Sequence, residues 1–367
     1  MRVRPLRTPE DAAACIEFWH EVYRDLPCWV PLDRHHYEDM LSGRSPAAAN
    51  AQVQTFLADD GHRILASVTA VREEAYVQHR NEQTGHLLFF EALDGQGDAV
   101  DQLLDTACGW LESRGCDAAR LSLLPGWQLP PTIDAYDVVP TLFHTYNPAY
   151  YHAYIKNARF RTEHGCVEYR VIFTPELSNR YREMVKRASD AGVRLRTWDL
   201  DHLEDENVLF TTLFNETFRS HWGFMPLSSA VMSELTVGFR DVLVRDFLIF
   251  AEVDGRPVGF VYSVPDLNQA FHRMGEKPVD ENVAEFQRYV GEIDHGVLLI
   301  IGVDQGYRGR GINLGMAARS YLAMVERGYR SASYTVVMDD NWPSRRTAEK
   351  LGARVTRNFN IYRRELK

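Results

Sequence analysis

The chain repeats one order of secondary-structure elements, and this repeat constrains its fold more than any other feature. Each half opens with a short strand and a helix, and continues through a hairpin and an apolar strand into an amphipathic helix. The amphipathic helices that follow Gly97 and Gly311 carry apolar residues at the same offsets of 0, 3, 4, 7 and 11. A shared order of eight elements indicates an internal duplication.

One insertion distinguishes the two copies. The second copy adds about 30 residues, Pro265–Asp294, between its third and fourth strands. The expected domains are 1–173 and 193–367, joined by a linker helix over 174–192. A length of 367 residues agrees with two domains, because a single core stops growing near roughly 250–300 residues.

Charge and apolar patterning argue against several functional classes. The net charge of −10 is opposite to that of a sequence-independent nucleic-acid binder, which is normally basic. The sequence has no apolar run of about 18 residues, so no membrane span is predicted. The charged N-terminus does not have the pattern of a secretory signal, and the 5 widely spaced cysteines are typical of reduced thiols. These features predict a cytoplasmic protein.

The strongest chemical signal is a glycine-rich loop in the second copy. Residues 300–312 read IIGVDQGYRGRGI, a strand that runs through the loop directly into a helix. Glycines let backbone N–H groups turn toward an anion, and the helix N-terminus adds partial positive charge. Arg308 and Arg310 can add charge-assisted hydrogen bonds to phosphate oxygens. The alternative is a structural strand–helix turn with two solvated arginines.

Two motifs carry a family resemblance. Residues 306–311 resemble the acetyl-CoA pyrophosphate loop Q/R-x-x-G-x-G/A of the GNAT N-acetyltransferase superfamily, with Gly306 departing from Gln or Arg. Residues 341–353 resemble that family's N-x-x-A/S…K-x-G-F segment. The resemblance implies an α/β fold of two tandem GNAT-like domains, each a mostly antiparallel mixed sheet flanked by helices. The whole chain also resembles a group of bacterial tandem-GNAT proteins, through the strings at 146–151 and 222–226.

The resemblance further implies an acyl-CoA-dependent N-acyltransferase. Acetyl-CoA, or another acyl-CoA, would be the co-substrate, a small-molecule amine the acceptor, and no metal would be needed. The backbone N–H groups near Gly302 and Val303 would polarise the thioester carbonyl. The residues expected to contact the coenzyme are Ile301, Gly302, Val303, Tyr307, Arg308, Gly309, Arg310, Gly311, Ile312, Asn341, Ser344 and Arg345.

The first copy lacks this loop chemistry. Its corresponding loop is shorter, has no arginine and carries Asp94 and Asp98. Two carboxylates beside a pyrophosphate oppose binding through like-charge repulsion. We therefore expect the first domain to be a degenerate copy without coenzyme.

Direct attack on a thioester needs a base that removes the ammonium proton of the acceptor. The candidates are Asp266, Glu234 and His295, which could instead be a turn former, a solvated helix residue and a surface strand end. The inserted segment should cover the acceptor end of the cleft. The residues expected to contact the acceptor are Asn268, Trp222, Phe224 and Tyr150.

The family's frequent general-acid tyrosine falls on Ala348 in this chain, so another group or solvent would protonate the leaving thiolate. This departure keeps open a non-catalytic acyl-CoA-binding module. A second alternative is an aminoacyl-tRNA-dependent transferase of the Fem type, whose members also have two GNAT-like domains. That reading lacks a basic surface and does not explain the intact coenzyme loop.

Overall fold

The computed structural model describes residues 1–31, 34–124, 127–237 and 240–366, except for the side chains of residues 35, 36, 234, 235 and 237. In these residues the strands are β1 (Arg2–Pro5), β2 (Ala51–Asp59), β3 (Ile64–Glu73), β4 (Thr84–Ala92), β5 (Ala118–Leu121), β6 (Arg161–Ile172), β7 (Val193–Thr197), β8 (Ile249–Val253), β9 (Arg256–Pro265), β10 (His295–Val303), β11 (Ser331–Met338) and β12 (Arg354–Glu365). The helices are α1 (Pro9–Tyr23), α2 (Arg34–Ser42), α3 (Glu74–Arg80), α4 (Gly97–Glu112), α5 (Tyr151–Asn157), α6 (Pro175–Asp190), α7 (Leu203–Phe218), α8 (Ser229–Val237), α9 (Asn268–Met274), α10 (Val283–Gly291), α11 (Ile312–Glu326) and α12 (Trp342–Lys350).

The chain forms two compact units. Unit 1 comprises Met1–Gly165, Gly223–Pro226 and Phe359–Lys367, and unit 2 comprises Cys166–Trp222 and Leu227–Asn358. The strands of unit 1 follow the order β1-β2-β3-β4-β5-β12, and those of unit 2 the order β6-β11-β10-β9-β8-β7. Within unit 1 the pair β4/β5 is parallel, and within unit 2 the pair β10/β11 is parallel. Each unit is thus a mostly antiparallel mixed sheet with helices, as the sequence predicts.

Corresponding strands are exchanged along the chain. In unit 2, β6 pairs antiparallel with β11 and places Arg170 opposite Ser333. In unit 1, β12 pairs antiparallel with β5 and places Arg363 opposite Arg120. The last strand of the first sequence half therefore completes unit 2, and the C-terminal strand completes unit 1. These units differ from the expected division at residue 173, because hydrogen-bonded pairing rather than chain order decides where a strand belongs.

Both copies keep the same irregularity in their central strand. The pairing of β10 with β9 shifts register between Leu298 and Ile300. The pairing of β4 with β3 shifts register between Ser67 and Thr69 of β3, next to Glu91 of β4. A bulge of this kind bends a strand and re-aims its side chains. Its presence at equivalent positions supports the duplication read from the sequence.

Close helix packing fixes α11 in unit 2. A Cβ added to Gly315 would lie 2.6 Å from the Cβ of Ala188 on α6, so only glycine permits this approach. Ala317, Ala318 and Tyr321 on α11 are fully buried in the core, as their helical spacing predicts. Helix α6, expected as a linker, therefore packs within unit 2 and holds the helix that follows the glycine-rich loop.

The insertion of the second copy folds into helices α9 and α10. The rings of Phe271 and Phe286 stack between these helices with their centroids 5.2 Å apart. The side chain of Gln269 closes the insertion by donating to Asp294 Oδ1 at 3.1 Å and accepting from the Asp294 backbone N–H at 3.1 Å. The insertion thus starts and ends at the same place, beside the first residues of β10.

Candidate active site

The glycine-rich loop of unit 2 forms a nest of backbone N–H groups. Gly309 and Gly311 have φ angles of 79° and 75°, a left-handed conformation that glycine adopts without strain. A Cβ at either residue would have no neighbour within 4 Å, so the loop is open on this side. Among the residues that the structure describes, the amides of Gly309, Arg310 and Gly311 donate no hydrogen bond. Consecutive donors at the start of α11 are an anion-binding arrangement.

The two loop arginines have different surroundings. Arg308 donates from Nε to the Val303 carbonyl at 3.2 Å and from Nη2 to the Thr217 carbonyl at 3.1 Å. It therefore fastens the loop to the end of β10 and to α7, a role that the sequence pattern does not indicate. Arg310 is exposed, with its guanidinium carbon 5.1 Å from the Tyr307 ring centroid. Arg310 is thus the better placed of the two to reach a phosphate.

The central strand leads from this loop to an open edge. Parallel pairing with β11 runs from His295 to Leu298, and both strands continue past it. Beyond this point Leu299, Ile300 and Ile301 are only half-buried, although they belong to the middle of a sheet. The backbone of β10 next to its bulge is therefore accessible where the two strands diverge.

Gly302 allows close packing at the end of this strand. A Cβ at Gly302 would lie 2.7 Å from Phe260 Cζ and 2.9 Å from Thr217 Cγ2. The residue is therefore small because α7 packs directly on β10. Ile312, also expected at the coenzyme, is 1% exposed and is part of the core beneath α11.

The segment after β11 holds its predicted coenzyme residues through local bonds. Asn341 caps α12, since its Oδ1 accepts from the Ser344 amide at 3.3 Å. The Ser344 hydroxyl lies 2.9 Å from the Tyr334 hydroxyl. Arg345 donates to the Tyr169 hydroxyl at 3.0 Å and to the Asp339 carbonyl at 2.9 Å. Asn341 and Arg345 therefore have structural roles that the motif alone does not reveal.

Ala348 lies in the core of unit 2 with no exposed surface. It stands where the family resemblance expects a tyrosine. Its methyl group has no proton to give, so this position supplies no general acid.

The candidate base Asp266 lies beside the first residue of β10. Its backbone N–H donates to the His295 carbonyl at 2.9 Å, and the residue is 6% exposed. Asn268 begins α9 and is 8% exposed. The structure thus brings Asp266, Asn268 and His295 together at one end of the β9–β10 pair. The side chain of Glu234 lies outside the described part of the chain.

His295 is the centre of a buried polar cluster that the sequence reading missed. Its Nδ1 lies 2.7 Å from Ser331 Oγ, and its Nε2 lies 2.8 Å from Ser333 Oγ. Ser333 also donates to Glu168. Both ring nitrogens of His295 are therefore in hydrogen-bond contact with serine hydroxyls. The available signal was the alternation of polar residues, at 168 and 170 and at 331 and 333, along otherwise apolar strands.

The aromatic residues expected at the acceptor fall in different units. Phe224 belongs to unit 1, where its ring lies 5.0 Å from that of His79. Tyr150 also belongs to unit 1, and its hydroxyl donates to the Ala92 carbonyl at 2.8 Å. Trp222 ends the first segment of unit 2. The acceptor wall that these residues were expected to form stays a prediction.

Tyrosines take the corresponding backbone groups of unit 1. The register of the parallel pairs makes Ala92 the equivalent of Val303. The Ala92 amide donates to the Tyr151 hydroxyl at 2.8 Å, and Tyr150 takes its carbonyl. The Gln96 amide, in the loop that leads to α4, donates to the Tyr154 hydroxyl at 3.0 Å. Tyrosine side chains thus satisfy the amides of Ala92 and Gln96 and the carbonyl of Ala92.

Among the residues that the structure describes, no three His, Cys, Asp or Glu side chains are grouped to hold a metal ion. Within the same residues, no helix is both long and apolar enough to cross a membrane. The cytoplasmic location expected from the sequence stays a prediction.

Solved structures share this architecture. A tandem GNAT protein from the clavulanic acid biosynthesis pathway superposes with a TM-score of 0.57 at 11% identity, covering 100% of this chain and 98% of that chain. A GCN5-related N-acetyltransferase from Sphaerobacter thermophilus gives a TM-score of 0.54 at 13% identity, covering 100% and 96%. The chain therefore has the fold of tandem GNAT proteins.

A protein-family model matches a segment in the second half of the sequence. The acetyltransferase (GNAT) family model matches residues 210–353, the segment that contains the nest, the β10 edge and α12. The bacterial ceramide synthase of Caulobacter vibrioides is 22% identical, covering 100% of this chain and 98% of that protein. Protein YghO of Escherichia coli is 22% identical, covering 73% and 69%.

Proposed function

We propose that the chain is an acyl-CoA-dependent N-acyltransferase whose active site lies in unit 2. The observation that carries this proposal is the nest of amides at Gly309–Gly311, which have no hydrogen-bond partner among the described residues and which begin α11 at the end of β10. Nest and strand edge together suit a ligand with a pyrophosphate at one end and an extended amide-containing arm. Acyl-CoA has this chemistry, with Arg310 available to the phosphates.

The chemistry required of the protein is limited, because a thioester is already activated. The acceptor nitrogen forms a bond to the thioester carbonyl carbon, and the carbon–sulfur bond breaks. Backbone N–H groups near Gly302 and Val303 are proposed to stabilise the negative charge on the carbonyl oxygen. Asp266 is proposed to accept the ammonium proton, directly or through water. The new amide nitrogen loses its second proton to solvent, and the released thiolate takes a proton from solvent, since Ala348 has none to give.

The acceptor is proposed to be a small-molecule amine, with acetyl-CoA as the first acyl donor to test. The Caulobacter relative named ceramide synthase favours a second candidate. Ceramide is an N-acylated long-chain amino alcohol, so this chain could use such an amine with a longer acyl-CoA. The similarity over both full lengths is the specific support for this candidate.

Two measurements test the proposal. Titration calorimetry with acetyl-CoA and palmitoyl-CoA measures coenzyme affinity, and release of free thiol measures turnover with ethanolamine and with sphinganine. We expect micromolar coenzyme binding and amine-dependent thiol release. Binding without turnover of any amine would instead support the non-catalytic module, and absence of coenzyme binding would favour an aminoacyl-tRNA-dependent reaction.

A further inference from the structure

A row of polar side chains crosses one face of the unit 2 sheet. Arg170 on β6 lies opposite Ser333 on β11, and Ser331 on β11 lies opposite His295 on β10. Glu168 lies two residues before Arg170, and therefore on the same face of the strand. Of these residues, Glu168, Ser331, Ser333 and His295 are 5% exposed or less.

Hydrogen bonds connect the members of this row. Ser333 donates to Glu168, and its Oγ lies 2.8 Å from His295 Nε2. His295 Nδ1 lies 2.7 Å from Ser331 Oγ and accepts from Arg170 Nη2 at 3.3 Å. Arg170 is thus bonded to the imidazole of His295.

Arg170 is left without a countercharge. Among the residues that the structure describes, no carboxylate lies within 4.0 Å of its guanidinium. The side chain is half-buried, and its Nε is fully buried without a hydrogen-bond partner in the same residues. Burying a cation and an N–H donor in this way costs free energy unless a ligand compensates.

The duplicated strand supplies an internal comparison. Arg363 occupies the same register on β12 that Arg170 occupies on β6. Arg363 is ion-paired to Glu365 at 2.7 Å and lies 3.6 Å from Glu163. The same position therefore carries a neutralised arginine in unit 1 and an unneutralised one in unit 2, which contains the proposed active site.

The coenzyme phosphates are not the ligand that Arg170 would take. The nest follows the carboxyl end of β10, whereas Arg170 reaches His295 at its amino end. Nine strand residues separate these ends by roughly 26 Å at about 3.3 Å per residue. The backbone N–H of Asp266, the proposed base, donates to the carbonyl of the same His295. An anion bound at Arg170 would therefore be distinct from the coenzyme phosphates.

We infer that Arg170 binds an oxyanion, a carboxylate or a phosphate, carried by the acceptor amine. The inference rests on the proposed function for the identity of the reaction. The Nε and Nη2 edge of a guanidinium matches the two oxygens of such a group in a bidentate pair. The row of Glu168, Ser333, His295 and Ser331 fixes the position of this edge.

The test compares amines that differ only by an oxyanion. Ethanolamine is compared with L-serine, which adds a carboxylate, and with O-phosphoethanolamine, which adds a phosphate. Sphinganine and sphinganine 1-phosphate form the long-chain pair. The variants are Arg170→Gln, Arg170→Lys and, as the matched control, Arg363→Gln. The readouts are kcat/KM for each amine, acetyl-CoA affinity by calorimetry and melting temperature.

The wild type should prefer at least one anionic amine over its neutral partner by tenfold or more. Arg170→Gln should lower kcat/KM for that amine roughly 10–100-fold and change the neutral partner less than about twofold. Arg170→Lys should keep part of the preference, and Arg363→Gln should keep all of it. Which oxyanion is preferred identifies its source.

Three results would overturn the inference. The first is a wild type that prefers the neutral amines, and the second is an Arg170→Gln protein that loses activity equally on both members of a pair. The third result applies only if no amine is turned over. It is the absence of binding when O-phosphoethanolamine and L-serine are titrated into the coenzyme-saturated protein. If the wild type does not bind coenzyme, the proposed function is refuted. Titration of O-phosphoethanolamine and L-serine into the free protein then still decides whether Arg170 binds an oxyanion.

Discussion

Replacing Gly311 should weaken coenzyme binding through the backbone alone. At φ 75° an L-residue is strained by roughly 1–2 kcal/mol, and a Cβ there meets no atom within 4 Å. The whole penalty of Gly311→Ala is therefore conformational. If the loop relieves the strain by leaving the nest geometry, acetyl-CoA affinity falls roughly 5–30-fold, since about 1.4 kcal/mol corresponds to tenfold.

Gly311→Glu adds a charge to the same backbone effect. A carboxylate roughly 5 Å from a phosphate charge costs about 1–3 kcal/mol for each pair at an effective dielectric constant of 20–80. Combined with the strain, this should bring acetyl-CoA binding below detection by titration calorimetry. Gly311→Asn is the informative intermediate, because Asn tolerates the left-handed conformation and should lose less affinity than Ala.

Gly255 is the matched control for these changes. It has φ 76° in the β8–β9 hairpin of the same unit and also has no neighbour within 4 Å of an added Cβ. Gly255→Ala and Gly255→Glu should lower the melting temperature much as the Gly311 variants do, with acetyl-CoA affinity unchanged. If folded Gly311→Glu protein binds acetyl-CoA within a few-fold of the wild type, the nest is not the pyrophosphate site.

Four further outcomes are expected. Titration should give one acetyl-CoA per chain, because tyrosine hydroxyls hold the corresponding backbone groups of unit 1; two per chain would contradict this. Asp266→Asn should lower kcat/KM roughly 10²–10⁴-fold with coenzyme affinity intact, and a normal rate with an unchanged pH profile would place the base elsewhere. Ile361→Ala, at a fully buried site on β12, should destabilise unit 1 by about 2–5 kcal/mol and raise its amide exchange, although the residue lies near the C-terminus. Burial raises the pKa of Glu91 from 4.5 to about 8, above its unfolded value, so the stability of unit 1 should fall as pH rises from about 4.5 to 8, and Glu91→Gln should flatten this dependence of the melting temperature.

The sequence predicted the elements and the conformation of the glycine-rich loop because both depend on local patterns, whereas anion binding by the loop stays a prediction. The glycines at 309 and 311 read as a phosphate loop, and the structure gives them the required left-handed backbone. Helical spacing placed Ala317, Ala318 and Tyr321 in the core. The strand exchange could not be predicted from the sequence, because which strands pair depends on how the elements fit together in three dimensions. Tyr-Arg at 169–170 and again at 362–363 marks the two strands as equivalent, but equivalence does not say which sheet each strand joins.

The sequence pattern also did not predict the roles of individual polar side chains. Arg308 and Arg310 are two residues apart in one motif, yet Arg308 is bonded to two carbonyls and Arg310 lies over the Tyr307 ring. A spacing identifies which residues could meet a ligand, whereas the neighbouring elements decide which of them are already occupied. Arg308 is bonded to a carbonyl at the end of α7, which is far away in sequence, so its structural role follows only from packing.

The two copies of the fold share a frame and differ in function. Both keep the bulged central strand and its parallel partner, because these are the frame of the fold. The copies differ in the partners of their polar backbone groups and arginine side chains. In unit 1 the backbone at Ala92 is bonded to tyrosine hydroxyls and Arg363 is paired with carboxylates. In unit 2 the amides of the glycine-rich loop and the guanidinium of Arg170 have no such partners among the described residues. Unsatisfied polar groups cost free energy in the folded protein, so their concentration in one of two equivalent copies indicates where ligands compensate that cost.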